Sequence, residues 1–156
     1  MKYRMLMIII ATAASFPGFA DDQPVQRSQE PYRPRLAEIM GATQLRHFKL
    51  WYAGRFSNWD LAKYELGQIE ASIQDAARYF PNIPAADMTT MTEQVKELRT
   101  AIEAKNTAKA VIAFRNFTSA CDSCHQSAGV GFIVIKVPAT SPLETSPFSD
   151  QSFAPR

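Results

Sequence analysis

The chain has 156 residues, and its 17 Lys and Arg against 15 Asp and Glu leave a net charge of only +2. No basic stripe is available to displace counterions from phosphates, which excludes nucleic acid as a partner. The length suits one domain with one hydrophobic core.

Residues 1–20 read as an export signal peptide. Lys2 and Arg4 precede the apolar run Met5 to Ala14, Pro17 breaks any continuing helix, and Gly18 and Ala20 stand at the third and first positions before the expected cut. The run is too short for a bilayer span, which takes roughly 20 residues. Its removal takes away Lys2 and Arg4 and leaves 15 basic against 15 acidic side chains. A periplasmic location is therefore expected, with no membrane span after cleavage. Residues 21–34 are polar and carry Pro24, Pro31 and Pro34, which predicts an extended lead-in.

Four helical patterns follow. Leu36, Met40, Thr43, His47, Leu50 and Gly54 draw one seam along a first helix over about 35–54, with Gly54 as its stop. Ser57 and Asp60 have capping-box spacing. Behind them Ala62, Leu66, Ile69, Ile73, Ala76 and Phe80 form the seam of a second helix, ended by Pro81 and Pro84. A third helix is predicted from Asp87, with Met88, Met91, Val95, Leu98 and Ile102 on its seam. The fourth starts at Thr107 and carries Ala110, Phe114, Phe117, Cys121 and Cys124. Four such seams bury one another when the helices pack antiparallel. The predicted fold is all-α: an up-down-up-down four-helix bundle over 35–128, with residues 129–156 as an extended C-terminal strap and tail. Phe132 to Val137 is an apolar segment that has to be covered, either as a strap packed on the bundle or as a cover for a cofactor edge.

Cys121 and Cys124 are the only cysteines, and Cys121-Asp-Ser-Cys124-His125 is a C-x-x-C-H sequence, the attachment signature of c-type haem. On a helix, residues three apart share a face, so both thiols can reach the two vinyl groups of one porphyrin while His125 supplies a nitrogen to the iron. Three other uses of the pair compete. A thiol-disulfide oxidoreductase places C-x-x-C at a helix N-terminus, whereas this pair lies near a C-terminus. A zinc site needs two more ligands, and His47 is the only other histidine. A disulfide is ill suited to this spacing on a regular helix. One covalently bound haem c is the expected cofactor.

A four-helix bundle with C-x-x-C-H near the end of its last helix, in an exported chain of this size, resembles the cytochrome c-prime family, including its low-spin members. The resemblance covers about residues 35–128, and the tail beyond is longer than the family pattern. It implies thioether attachment at Cys121 and Cys124, His125 as proximal iron ligand, a distal position on the first helix, redox partner proteins and a possible homodimer through the first two helices. A filled distal site implies electron transfer, and an open or displaceable one implies binding of nitric oxide or carbon monoxide.

The first helix offers Met40 and His47 on one seam. If Gly54 sits level with Thr107, the level of His125 falls near Leu36, which puts Met40 roughly 6 Å and His47 roughly 16 Å above it at about 1.5 Å per residue. Met40 is the expected sixth ligand, with His47 as the alternative. His47 also has alternatives of its own: a haem propionate, Gln44 or Glu65. Phe48, Trp51, Tyr52, Phe56 and Trp59 are expected to cap one end of the core rather than to dock a partner. No nucleophile-base-acid set and no glycine-rich phosphate loop is present, so an enzyme is not expected.

Overall fold

The computed structural model describes residues 32–138. The predicted signal peptide, all but the last residues of the lead-in, and the tail beyond residue 138 lie outside the described residues. The helices belong to one unit, Arg33–Arg156.

The first helix, α1 (Leu36–Arg55), starts where Arg35 adopts an extended backbone and Glu38 reaches back to it. The Arg35 N–H donates to Glu38 Oε2 at 3.0 Å and its Nε to Oε1 at 2.8 Å. Glu38 thereby also sets a negative charge against the positive end of the helix dipole. Gly54 does not stop α1, which continues to Arg55. The left-handed residue comes three positions later, at Ser57, with φ of 58°. Because Ser57 is used in the turn, it is not the cap of the next helix, and the Ser57–Asp60 capping box does not form. Asn58 takes that role: its Oδ1 accepts from the Leu61 N–H at 3.2 Å at the start of α2 (Trp59–Tyr79).

The third helix, α3 (Ala85–Glu103), begins two residues before the predicted Asp87. The Pro84 carbonyl accepts from the Asp87 and Met88 N–H groups, so the proline stands just outside the helix, where its missing N–H costs nothing. Lys105, at φ of 51°, turns the chain, and Asn106 Oδ1 caps α4 (Thr107–Ser127) by accepting from the Lys109 N–H at 2.9 Å. After Gly129 the chain is irregular, and the described residues contain no strand.

Successive helices pack against each other, and α4 returns to α1, closing an up-down-up-down ring. The α1–α2 and α3–α4 hairpins are the intimate pairs, and α1 against α4 is the loosest of the four seams. Leu50, Leu66, Ile69, Leu98 and Phe117 are fully buried at the centre. Each contributes about 1.5–3 kcal/mol by leaving water. The buried arc of α1 is wider than its predicted seam: Trp51, Tyr52 and Ala53 are all buried beside Leu50, because a bundle helix is flanked by two neighbours rather than one. Trp51 and Tyr52 do close one end of the core, with Phe48 and Trp59 packed partly against it, whereas Phe56 stays exposed. Between helices, Arg46 on α1 pairs at 3.1 Å with Glu65 on α2, whose side chain is only 3 % exposed, and Arg99 on α3 pairs with Glu70 on α2. No helix among the described residues is long and apolar enough to cross a membrane.

Candidate functional site

Seam residues that are buried along most of the bundle become half-buried toward one end. Met40 on α1, Ile73 on α2 and Phe80 at its C-terminal cap, Met88 on α3, and Cys121 and Cys124 on α4 are only partly covered, although the smaller Ala76 on α2 stays buried. This is the end opposite Trp51, and it is where the C-x-x-C-H sequence lies.

Cys121 is partly buried against the core, and both cysteines are free thiols. Burial, with smaller contributions from Asp122 and Cys124, pushes the Cys121 thiol up to about 12. Cys124 is also raised, by burial first and then by Asp87. The negative end of the α4 dipole lies nearby and acts in the same direction. Both groups are therefore held as neutral thiols at pH 7, the opposite of the activated thiolate that disulfide exchange requires. Among the described residues no three His, Cys, Asp or Glu side chains gather to hold a metal ion.

His125 is oriented by a segment far along the chain. Its Nδ1 lies 2.7 Å from the carbonyl oxygen of Ile133. A carbonyl can only accept, so Nδ1 carries the proton and the lone pair of the neutral ring is on Nε2. That tautomer and that type of backbone partner are the ones typical of a metal-ligating histidine.

His47 is arranged in the reverse sense. It is 4 % exposed, and its Nε2 is 2.9 Å from Thr118 Oγ1 on α4. The Thr118 hydroxyl already donates its proton to the Phe114 carbonyl at 2.8 Å, so His47 Nε2–H is the donor. Its ring also packs on Phe114 and Phe117, at centroid distances of 4.4 and 6.1 Å. Burial lowers its pKa from 6.5 to about 4, against a small opposing pull from Asp122. His47 is thus a neutral core residue. Of the two polar neighbours, Gln44 and Glu65, that the sequence offers it, Glu65 belongs to Arg46.

These contacts also fix the α1–α4 register. His47 is level with Thr118, Trp51 packs on Phe114 at 5.0 Å, and Ser57 meets Thr107 with their hydroxyls 3.4 Å apart. In an antiparallel pair, seven residues back from His47 and seven forward from Thr118 reach the same height, which sets Met40 level with His125. Aligning Gly54 with Thr107 puts that level near Leu36 instead. The continuation of α1 to Arg55 and the turn at Ser57 account for the difference.

The strap beyond α4 was expected to be covered, and it is covered only in part. Val137 packs against the core and Ile135 is half-buried, but Phe132 is 82 % exposed and Ile133 and Val134 are exposed beside it. Asp122, between the two cysteines, accepts from the Ile135 N–H at 2.7 Å. Neither Asp122 nor the Ile133 carbonyl was singled out in the sequence. The apolar run pointed to the right segment, but nothing in it marked which backbone group would meet His125.

Compared with known proteins, the chain matches no family model, no curated protein and no solved structure.

Proposed function

We propose that the protein is an exported monohaem c-type cytochrome acting in electron transfer, with haem c attached through Cys121 and Cys124 and with His125 as proximal ligand. The observation that carries this reading is the His125 tautomer: Nδ1–H is committed to the Ile133 carbonyl and Nε2 is left with its lone pair, on the residue that completes C-x-x-C-H. The thiol states agree with it, because neutral, partly buried cysteines suit addition of S–H across a vinyl group and do not suit disulfide exchange. The half-buried seam residues at this end agree as well, since a porphyrin held there supplies the apolar contact they lack. Bound at this site, haem supplies a one-electron ferric/ferrous couple.

Met40 is the proposed sixth ligand. It shares the α1 face of His47 and is level with His125, whereas the His47 ring is buried against Phe114 and Phe117 and lies two turns away. A thioether opposite an imidazole suits an electron carrier, and a six-coordinate iron reorganises little between its two states.

The test is expression with haem-maturation machinery, followed by denaturing electrophoresis with haem staining. The wild-type band is expected to stain and the Cys121→Ala, Cys124→Ala double variant is expected not to. A wild-type chain that folds but never retains haem through denaturation overturns the proposal.

A further inference from the structure

The segment that meets His125 is tied to α4 at two points. A turn after the helix, with Val130 N–H donating to the His125 carbonyl at 2.9 Å and Ile133 N–H to the Val130 carbonyl at 2.8 Å, brings the chain back along α4. There the Ile133 carbonyl receives the His125 Nδ1 proton, and two residues later the Ile135 N–H donates to Asp122 Oδ1, both at 2.7 Å. Asp122 and His125 are three residues apart on the helix, so one face presents both partners to the strap.

Apolar contact contributes little to holding this stretch in place. Phe132, Ile133 and Val134 are exposed, and firm packing resumes only at Val137. A hydrogen bond to an ionised acceptor is stronger than one between neutral groups, which makes the Asp122 bond the main restraint between the turn and Val137.

We propose that Asp122 is a positioning residue for His125. By holding Ile135 it seats the Ile133 carbonyl on Nδ1, and that bond sets the ring orientation and the electron donation of Nε2. The inference rests on the proposed haem ligation. A carbonyl partner on Nδ1 makes the imidazole a stronger donor and so favours the ferric state. Loss of the clamp raises the reduction potential.

The test uses the haem-loaded protein and compares wild type, Asp122→Ala, Asp122→Asn and Ile135→Pro. Two quantities are measured: hydrogen exchange across residues 130–137, by mass spectrometry, and the reduction potential. Removal of a bond to a charged acceptor is expected to speed exchange in this stretch by about ten- to a hundredfold in Asp122→Ala. The potential of that variant is expected to shift positive. Ile135→Pro removes the donor instead of the acceptor and is expected to reproduce both effects without touching the carboxylate. Asp122→Asn keeps an oxygen acceptor while losing the charge, and is expected to stay nearer wild type in exchange. Unchanged exchange in Asp122→Ala, or equal potential shifts in the Ala and Asn variants with exchange unaltered in both, overturns the positioning role and leaves haem attachment intact. A wild-type chain that takes up no haem overturns both.

Discussion

His47→Gln should change how the fold responds to acid. In the folded chain the imidazole is buried between Phe114 and Phe117 and protonates only near pH 4, whereas in the unfolded chain it protonates near 6.5. Between those values the unfolded state binds the extra proton, so stability falls as pH falls. The contribution is fully present above about pH 6.5 and is lost on approaching pH 4. A difference of this size corresponds to about 3 kcal/mol at 1.36 kcal/mol per pH unit. At pH 7.5 the variant is expected to be less stable by about 1–2 kcal/mol, because a longer amide fits poorly on the two rings and has to find the Thr118 hydroxyl. Below pH 5 that deficit is expected to shrink or reverse. Urea unfolding of both proteins at pH steps from 7.5 to 4, at constant salt, gives the difference directly. Every other side chain is common to the two proteins, so its contribution cancels in the difference. Two stability curves that stay parallel across the whole range refute the reasoning, since they mean that His47 titrates in the fold as it does in water.

Other consequences can be measured on the same protein. Met40→Ala is expected to turn a low-spin ferric spectrum high-spin and to open the ferrous form to carbon monoxide, and a wild-type protein already high-spin and gas-binding refutes the ligand assignment. Arg46→Ala leaves Glu65 buried without its partner and should cost about 3 kcal/mol in thermal or urea unfolding, and adding Glu65→Gln should recover much of the loss. Lys105→Gly relieves a left-handed residue just after α3 and should raise stability by about 1 kcal/mol. Phe117→Ala, at a fully buried position, should cost about 3–5 kcal/mol.

The bundle was legible because apolar residues recur at spacings of four and three in each helix, and nearly every interior seam position, from Ala62 to Phe117, is buried as the spacing implies. The helix ends were less legible. Ser57 and Asn58 are both good caps in isolation, and only the left-handed turn at Ser57 decides between them. That local difference passed into the α1–α4 register and displaced the expected level of His125 by about one helical turn. The C-x-x-C-H sequence is visible in the residue order itself, and the haem attachment it implies is a proposal. What holds His125 is not visible there, because the Ile133 carbonyl is a backbone group that every residue carries, and its position depends on a turn and on Asp122. His47 illustrates the converse: its place on the seam makes it a candidate ligand, and only the packing of its ring on Phe114 and Phe117 and its bond to Thr118 show it to be a core residue.

The unequal seams of the ring have a consequence for motion. The bundle is two tight hairpins, and Met40 and His125 belong to different ones, at the same level of the α1–α4 seam, where the helices hold each other least. Regions with few packed contacts open first in a folded protein. The lowest-energy excursion of this chain should therefore part the first helix from the last while each hairpin stays intact. With haem bound as proposed, such a breathing motion would draw Met40 away from His125 without unfolding, so that a small external molecule competes with one helix seam rather than with the whole fold.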